Sequence, residues 1–338
     1  MGVGFVFPPI PMLEIKQIAV IGMGAVGGYY GGLLKKGGFD LHFLLHNDYE
    51  HVRKNGLVID SPNGNFHLPE VAAYNDPSKM PHCDLAIIAL KTTENHLLPG
   101  ILPHVVKDDG IALTLQNGLG SEKAIADGIG ADRVMGGLCF LCSNKVSPGH
   151  IRHLDYGLIT LGEYRADGCP GGITPRLEQL GAKMQSAGIS TKPITDLLLA
   201  QWKKLVWNIP FNGLSVTRNA LTNQLLKEPA TRRLCKTLMN EVAAASAACA
   251  RPIEAAFIGK MLADTEKMEP YAPSMKLDFD RGRPMEIESI YGHPLRMAKA
   301  AGIAMPETEK LYQQLIETNP VSNGEEDPAG KNSERART

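Results

Sequence analysis

The first part of the chain carries short, continuous apolar runs that alternate with helical or turn-rich segments. The runs are "KQIAVIG", "DLHFLL", "DLAIIAL" at 84–90, "GIALTL" at 110–115 and "RVMGGLCFL" at 133–141. Runs of this length predict buried strands, and strands that alternate with helices predict a parallel sheet covered on both faces. The segment at 150–163 predicts instead a hairpin added to that sheet.

The pattern becomes helical beyond about residue 174. "TPRLEQLGAKMQSAG" has apolar residues at helical spacing, and after the short "ISTKPI" the chain shows no strand alternation nearly to its end. The sequence therefore predicts two domains, at 15–192 and at 193–318. They are flanked by an apolar, proline-broken extension at 1–14 and by a polar tail at 319–338, which we expect to be disordered.

Composition and charge restrict the partners and the compartment. The 338 residues are 43% hydrophobic and 21% charged, which suits a globular protein with two cores. Lys and Arg number 35 against 36 Asp and Glu, so the charge gives no reason to expect a nucleic acid partner. The N-terminal extension lacks the positive start of a signal peptide and is too short to span a membrane. Six scattered cysteines form no disulfide pattern, so we expect a cytoplasmic protein.

A glycine-rich turn follows the first predicted strand and opens the first predicted helix. It matches G-x-G-x-x-G, in which the first two glycines allow a tight turn and the approach of a pyrophosphate, and the third lets helix and strand pack. The fold class is therefore predicted as α/β, a Rossmann-type dinucleotide-binding domain followed by an all-α domain. A glycine-rich turn without a ligand is the alternative. The residues expected to bind the cofactor here are Gly22, Met23, Gly24, Ala25, Val26 and Gly27.

The end of the second predicted strand bears on the choice of dinucleotide. NAD enzymes usually place an acid there for the ribose diol, and NADP enzymes place a basic residue there for the 2′-phosphate. This chain offers His46 and Asn47, whereas Asp48 is expected to cap the following helix. The pattern favours NADP and leaves NAD open. A surface position for His46 with no ligand is the alternative.

Two polar loops follow later strands of the predicted sheet. Lys91 comes directly after the third main strand, and Gln116 and Asn117 come after the next one. In an open parallel sheet, ligands bind outside the carboxyl ends of the strands. We therefore expect both loops to face the nicotinamide half of the cofactor, although a solvated lysine and a plain Asn-Gly turn would give the same sequence.

A helix of the second domain carries polar residues at intervals of four. In "QWKKLVWNIPFNGL", Lys204, Asn208 and Asn212 drift only about 40° per step and share one helix face. Burying such groups without partners costs about 1 to 3 kcal/mol for each amide and more for the charge, so we expect a polar ligand on this face. Pro210 has no amide donor, and it predicts a kink between the two asparagines.

A second polar segment, "PSMKLDFDRGRPMEIESIYG", surrounds a Gly-Arg-Pro turn and leads into a partly apolar helix. It suits a loop or helix start that faces a cleft between the domains, and a solvent-exposed loop would look similar. Its polar residues are Ser274, Asp278, Arg281, Arg283 and Glu286.

Together these segments resemble the ketopantoate reductase family, also called 2-dehydropantoate 2-reductases. The resemblance runs from Lys16 to about Glu317, and the last two segments match the family's K-L-x-x-N-x-x-x-N and S-M-x-x-D-x-x-x-G-R-x-x-E-I patterns in order and spacing. It implies an NADPH-dependent reduction of 2-dehydropantoate to pantoate, in the route to pantothenate and coenzyme A. It also implies a C-terminal helical domain like that of 6-phosphogluconate dehydrogenase.

The resemblance implies a role for each polar residue. Lys204 would protonate the carbonyl oxygen as hydride arrives, with Glu286 close to it and to the cofactor. The substrate's hydroxyl and carboxylate groups would be held by Asn208, Asn212 and Ser274. Asn117 would contact both cofactor and substrate, and Lys91 would contact the cofactor. His46 stands where many members have an arginine for the 2′-phosphate, which separates this chain from the usual NADPH pattern.

Two other functions stay open on the sequence alone. The same lysine would serve a reductase of another branched 2-keto acid, and a regulatory protein could keep the fold and bind NADP(H) without turnover. No motif predicts a metal, because His150 and His153 lack a third ligand. An apolar helical surface suits a core and a homodimer interface equally, so the sequence leaves the oligomeric state open.

Overall fold

The structure, a computed structural model, describes residues 14–319. Apart from Glu14 and Asn319, the predicted N-terminal extension and C-terminal tail therefore lie outside the described residues. The chain divides into two compact units between Lys204 and Leu205. Within residues 14–319, no helix is long and apolar enough to cross a membrane.

One sheet of ten strands forms the centre of the first unit. Its strands are β1 (Gln17–Ile21), β2 (Asp40–Leu44), β3 (Leu57–Asp60), β4 (Phe66–Leu68), β5 (Ala72–Tyr74), β6 (Cys83–Ile88), β7 (Val106–Thr114), β8 (Val134–Ser147), β9 (His150–Glu163) and β10 (Thr191–Pro193). Their order is β4-β3-β9-β8-β7-β6-β1-β2-β5, and β10 pairs with β9. All neighbours from β8 to β5 are parallel, whereas β8 and β9 form an antiparallel hairpin. The predicted α/β sheet is confirmed. The prediction of a hairpin within residues 150–163 was wrong, because these residues form the single strand β9, which pairs along its length with the preceding strand β8.

The helices of both units complete the architecture. They are α1 (Ala25–Lys36), α2 (Tyr49–Asn55), α3 (Leu98–Val105), α4 (Ser121–Ile129), α5 (Pro175–Ser186), α6 (Leu197–Thr217), α7 (Thr222–Lys227), α8 (Pro229–Ala248), α9 (Ala255–Lys267), α10 (Ser274–Asp280), α11 (His293–Ala300) and α12 (Pro306–Thr318). The second unit is helical in the part that the structure describes, as predicted. The division between the units falls within α6, whereas the sequence placed the domain boundary at β10.

Strand β1 shows why both faces of the sheet are covered. Ile18 and Val20 belong to one buried apolar cluster, whereas Ala19 and Ile21 belong to another. Successive residues of a strand point to opposite faces, so a strand covered on both faces must be apolar throughout. Helices α1 and α5 contribute to the first cluster, and α3 and α4 to the second.

Helix α1 packs closely against two strands, β2 and β9, that are far apart in the strand order of the sheet. A Cβ added at Gly31 would lie 2.7 Å from Phe43 on β2, and one at Gly28 would lie 2.7 Å from Ile151 on β9. Such distances are shorter than ordinary Cβ contacts, so a larger residue at either position would force Phe43 or Ile151 to move. The sheet therefore curves around α1, and the glycines of "AVGGYYGG" determine how near it comes.

Three short strands of the first unit were not predicted from the sequence. Strands β3, β4 and β5 each have three or four residues and lie between helix α2 and strand β6. A run this short does not show an apolar period, and only pairing with longer strands stabilises it. The sequence reading of this region as helical or turn-rich was wrong on this point.

Candidate active site

The glycine turn joins β1 to α1, as the motif predicts. Gly22 has φ +92°, and a Cβ there would lie 2.9 Å from the Leu90 amide nitrogen in the loop after β6. A Cβ at Gly27 would lie 2.0 Å from the Gly22 carbonyl oxygen, so the first and third glycines are required for packing.

The second glycine differs, because a Cβ at Gly24 would meet no heavy atom within 4 Å. Gly24 therefore leaves open space beside the first turn of the 12-residue helix α1. Backbone amides and the helix dipole at such a turn suit an anion. Strand β1 lies between β6 and β2, so this turn is also where the strand order reverses. The residues present fit a dinucleotide, and Gly24 would be the position at which its pyrophosphate could approach the backbone.

The loop after β2 corrects one expectation from the sequence. His46 and Asn47 are exposed there, as a ligand contact requires. Asp48 lies at the N-cap of α2 but makes no capping hydrogen bond, and its φ and ψ of −89° and −5° are helical. Its carboxylate instead accepts hydrogen bonds from Lys145 Nζ at 2.8 and 3.0 Å. A charged partner on β8 has thus replaced the backbone amides that the sequence suggested.

Gln116 links the loops after β6 and β7. Its Nε2 donates to the Leu90 carbonyl at 3.0 Å and to Asn95 Oδ1 at 2.6 Å. Lys91 is half-buried beside this link, at the start of the 3₁₀ helix Thr92–Leu97. The glutamine therefore holds the Lys91 loop against the loop that carries Asn117.

Lys204 and Asn117, both predicted as site residues, are in direct contact. Lys204 Nζ donates to Asn117 Oδ1 at 2.8 Å and to the Cys139 carbonyl oxygen at 3.1 Å. The ammonium also lies 5.9 Å from the centre of the Phe140 ring, at the edge of cation–π range. These partners direct the lysine toward the carboxyl end of β7, where the sequence placed the nicotinamide side.

Two partners of Lys204 were missed by the sequence reading. The Cys139 carbonyl is a backbone group, and no residue type indicates its position. Phe140 belongs to an apolar run that reads as core, yet its side chain is 49% exposed. An aromatic ring left exposed next to a lysine is a signal that only the structure supplies.

A partly buried hydrogen bond fixes α6 about one turn before Lys204. Gln201 Nε2 donates to Glu122 Oε1 at 2.7 Å, and Glu122 lies in the first turn of α4, just after the Asn117 loop. Burial raises the pKa of the Glu122 carboxyl to about 7, although hydrogen bonds from its own amide and from Gln201 oppose that rise. The start of α6, which belongs to the first unit, is thereby held at Gln201 and at Lys204.

The second half of α6 carries the two predicted asparagines. Asn208 and Asn212 are both buried, and α6 continues through Pro210 as a single helix. Asn212 Oδ1 accepts a hydrogen bond from the Met275 amide at 3.4 Å. Ser274, the first residue of α10, is half-buried next to that amide. The structure thus brings Asn212 and Ser274 close together.

The Gly-Arg-Pro turn ends α10 and leads to Glu286. Arg283 pairs with the buried Asp278 at 2.7 Å, and Gly282 at the turn has φ +62°. Arg281 is exposed, whereas Glu286 is buried just before a π-helical turn at Glu288–Gly292. Asp278 and Arg283 therefore shape the turn, and Glu286 is a second buried acid, which follows the turn.

Comparisons with known proteins find similar sequences over most of this chain. The family model described as Ketopantoate reductase PanE/ApbA matches residues 18–166, and its C-terminal counterpart matches residues 196–319. A 2-dehydropantoate 2-reductase from Nostoc sp. strain PCC 7120 is 53% identical over 300 residues, covering 89% of this chain and 94% of that protein.

Solved structures extend the comparison to the fold. The crystal structure of 2-dehydropantoate 2-reductase from Geobacter metallireducens GS-15 is 41% identical, with a TM-score of 0.84, and covers 89% of this chain and 99% of that one. A dimeric ketopantoate reductase from Staphylococcus aureus, 18% identical with a TM-score of 0.76, covers 90% of this chain and 98% of that one and shares the fold.

Proposed function

The chain belongs to the ketopantoate reductase family, and we propose that Lys204 is its proton donor in the NADPH-dependent reduction of 2-dehydropantoate to pantoate. The protein is an NADP-dependent oxidoreductase of pantothenate and coenzyme A biosynthesis. The observation that carries the proposal for Lys204 is its 2.8 Å hydrogen bond to Asn117, which follows β7 at the carboxyl edge of the sheet. A lysine with no function would be expected to extend its ammonium group into solvent rather than bind it to this loop.

The chemistry requires a positive donor at this position. When bound, NADPH supplies the hydride that adds to the keto carbon. The carbonyl π electrons then move to oxygen, and a nearby ammonium both stabilises that charge and provides the proton. Asn117 and the Cys139 carbonyl fix the direction of the Lys204 ammonium before substrate arrives, which lowers the cost of orienting it during the reaction.

The nucleotide-binding role falls to residues 15–192. Gly22 to Gly27 would hold the pyrophosphate, for which the open space at Gly24 and the first turn of α1 are the support. His46 and Asn47 would lie at the adenosine ribose, and their exposure leaves both side chains able to reach a 2′-phosphate. Lys91 and Asn117 would contact the nicotinamide half.

Substrate binding falls to residues 193–318. In line with the family pattern, the hydroxyl and carboxylate groups of the keto acid would be bound by Asn208, Asn212 and Ser274. Glu286 would act beside Lys204 and near the cofactor. Asn208, Asn212 and Glu286 are all buried, and a small number of polar side chains in a protein interior is typical of a pocket that binds a polar ligand.

A panel of 2-keto acids tests the substrate. We expect the consumption of NADPH, followed by its absorbance, to show the highest kcat/KM with 2-dehydropantoate. A preference of more than about tenfold for another branched keto acid, equivalent to about 1.4 kcal/mol, would reject the substrate but keep the reaction class. Tight NADPH binding without turnover of any keto acid would reject an enzymatic function and favour a regulatory role.

The proposal also covers the oligomeric state of the protein and its location in the cell. A homodimer is proposed because a member of the fold is described as dimeric, and sedimentation of the purified chain would test it. A cytoplasmic location is proposed because all six cysteines lie within residues 14–319 and form no disulfide there, as a reducing compartment favours.

A further inference from the structure

Asp48 is the acid that a nucleotide-binding unit of this topology would offer to an NAD ribose. It lies two residues beyond His46, after the end of β2, and it is the one acid among residues 45–49. In NAD enzymes a carboxylate near this position accepts hydrogen bonds from the ribose diol, and it repels the 2′-phosphate of NADP. The chain therefore contains an acid that, if it reached the ribose, would favour NAD over NADP.

The carboxylate of Asp48 is turned away from this role. It is buried, with 5% of its surface exposed, and both of its oxygens accept hydrogen bonds from Lys145 Nζ. The amide of Gly149, in the turn of the β8–β9 hairpin, donates to the same carboxylate at 3.4 Å. His46 and Asn47 beside it are exposed, so the neutral or basic side chains reach the surface while the acid does not.

We propose that Lys145 is a specificity-determining residue for the cofactor. By binding Asp48 against the β8–β9 hairpin, Lys145 removes the acid from the ribose side of the nucleotide site, so that the loop accepts a 2′-phosphate. The inference rests on the use of NADPH proposed above, and it gives the chain a way to bind NADPH with histidine where an arginine is usual.

Removal of Lys145 leaves a buried carboxylate without its cation. Such a charge is costly, so Asp48 would turn toward water or toward a ligand hydroxyl. The released carboxylate would then accept hydrogen bonds from the ribose diol of NAD and repel the phosphate of NADP. The prediction is a change in the ratio of the two affinities, rather than a loss of both.

Calorimetric titration of the full chain with NADP⁺ and NAD⁺ tests this directly, at one ionic strength because charge effects are screened by salt. For Lys145→Met we expect the preference for NADP⁺ over NAD⁺ to fall by about tenfold or more. Lys145→Arg, which keeps the ion pair, should retain the wild-type preference. The double variant Lys145→Met with Asp48→Asn should return to within about threefold of wild type, because the liberated acid is gone.

Two results would overturn the proposal. Equal weakening of both cofactors in Lys145→Met would mean that the pair only anchors the hairpin. A double variant as poor for NADP⁺ as the single one would mean that Lys145 itself attracts the phosphate. If Lys145→Met does not fold, Lys145→Gln replaces it with the same expected ratio. These are binding measurements, so a failure of the proposed ketopantoate activity would leave their result unaffected.

Discussion

Glu122 is a buried acid beside the proposed site, and its ionisation should be visible in the stability of the protein. Burial raises its pKa from 4.5 to about 7. Between these values the folded chain keeps a proton that the unfolded chain has lost. The folded state therefore binds more protons, and its free energy of unfolding must fall as pH rises through this window.

We expect Glu122→Gln to abolish this loss. Glutamine keeps an oxygen acceptor for Gln201 and carries no charge, so the variant resembles the protonated acid. In urea unfolding, wild type should lose up to about 1.4 kcal/mol per pH unit relative to the variant between pH 5 and pH 7, and the difference should be constant above pH 8. Parallel pH profiles for the two proteins would show that Glu122 is not the group that titrates.

Single residues differ in how well the sequence predicted them. Lys204 and Asn117 were found because each stands in a recognisable pattern, and the structure places them in contact. Asp48 was read as a helix cap because local sequence favours that role, whereas its partner Lys145 is 97 residues away. The sequence around Asp48 does not show that the β8–β9 hairpin places the ammonium of Lys145 next to its carboxylate.

At the scale of elements, the turn between β1 and α1 combines two kinds of glycine. Gly24→Ala fills open space and should leave thermal stability within about 0.5 kcal/mol of wild type, while weakening the binding of NADPH by about tenfold or more. Gly27→Ala is the matched control. Its Cβ would overlap the Gly22 carbonyl oxygen, so we expect a loss of about 1 to 3 kcal/mol of stability. Thermal melting together with cofactor titration separates the two effects, and unchanged NADPH affinity in Gly24→Ala would place the pyrophosphate elsewhere.

Helix α10 gives a second test, because Asn212 has a structural and a proposed functional role. Asn212→Asp keeps the oxygen that accepts the Met275 amide at the start of α10, but it replaces the amide donor with a negative charge. If Asn212 binds the substrate's carboxylate or hydroxyl, we expect KM for the keto acid to rise by about tenfold or more, since a donor becomes an acceptor. The melting temperature reports the structural role, because a negative charge there suits a helix N-terminus. An unchanged KM in a folded variant would limit Asn212 to holding α10.

Elements were predicted to the extent that their pattern is local. The long apolar strands and the helices beyond residue 174 show their period within the sequence, and the structure has them. Strands β3, β4 and β5 were missed because their stability comes from pairing within a large sheet, which leaves no period in three or four residues. Helix α6 continues through Pro210 as one helix, and this too depends on packing with distant residues. For example, the Tyr291 hydroxyl donates a hydrogen bond to the Ile209 carbonyl at 2.8 Å.

At the scale of the whole molecule, the fold and the function were found by different signals. Alternating strands and helices and the glycine turn predicted the α/β architecture, which is shared by many dehydrogenases. The prediction of the activity came from two later segments, around Lys204 and Glu286, whose residue spacing is specific to one family. In the function proposed here, the fold positions the cofactor, and these side chains would determine which carbonyl compound is reduced.

The most direct measurement is the steady-state reduction of 2-dehydropantoate by Lys204→Ala beside Lys203→Ala. The two lysines are neighbours on α6 but point about 100° apart, so the second variant controls for loss of charge and for helix stability. We expect kcat to fall by about 10² or more in Lys204→Ala, with NADPH affinity within about threefold of wild type, and Lys203→Ala to retain wild-type kcat within about twofold. A folded Lys204→Ala protein that keeps kcat within about tenfold of wild type would contradict the account, because the proton would then come from another group.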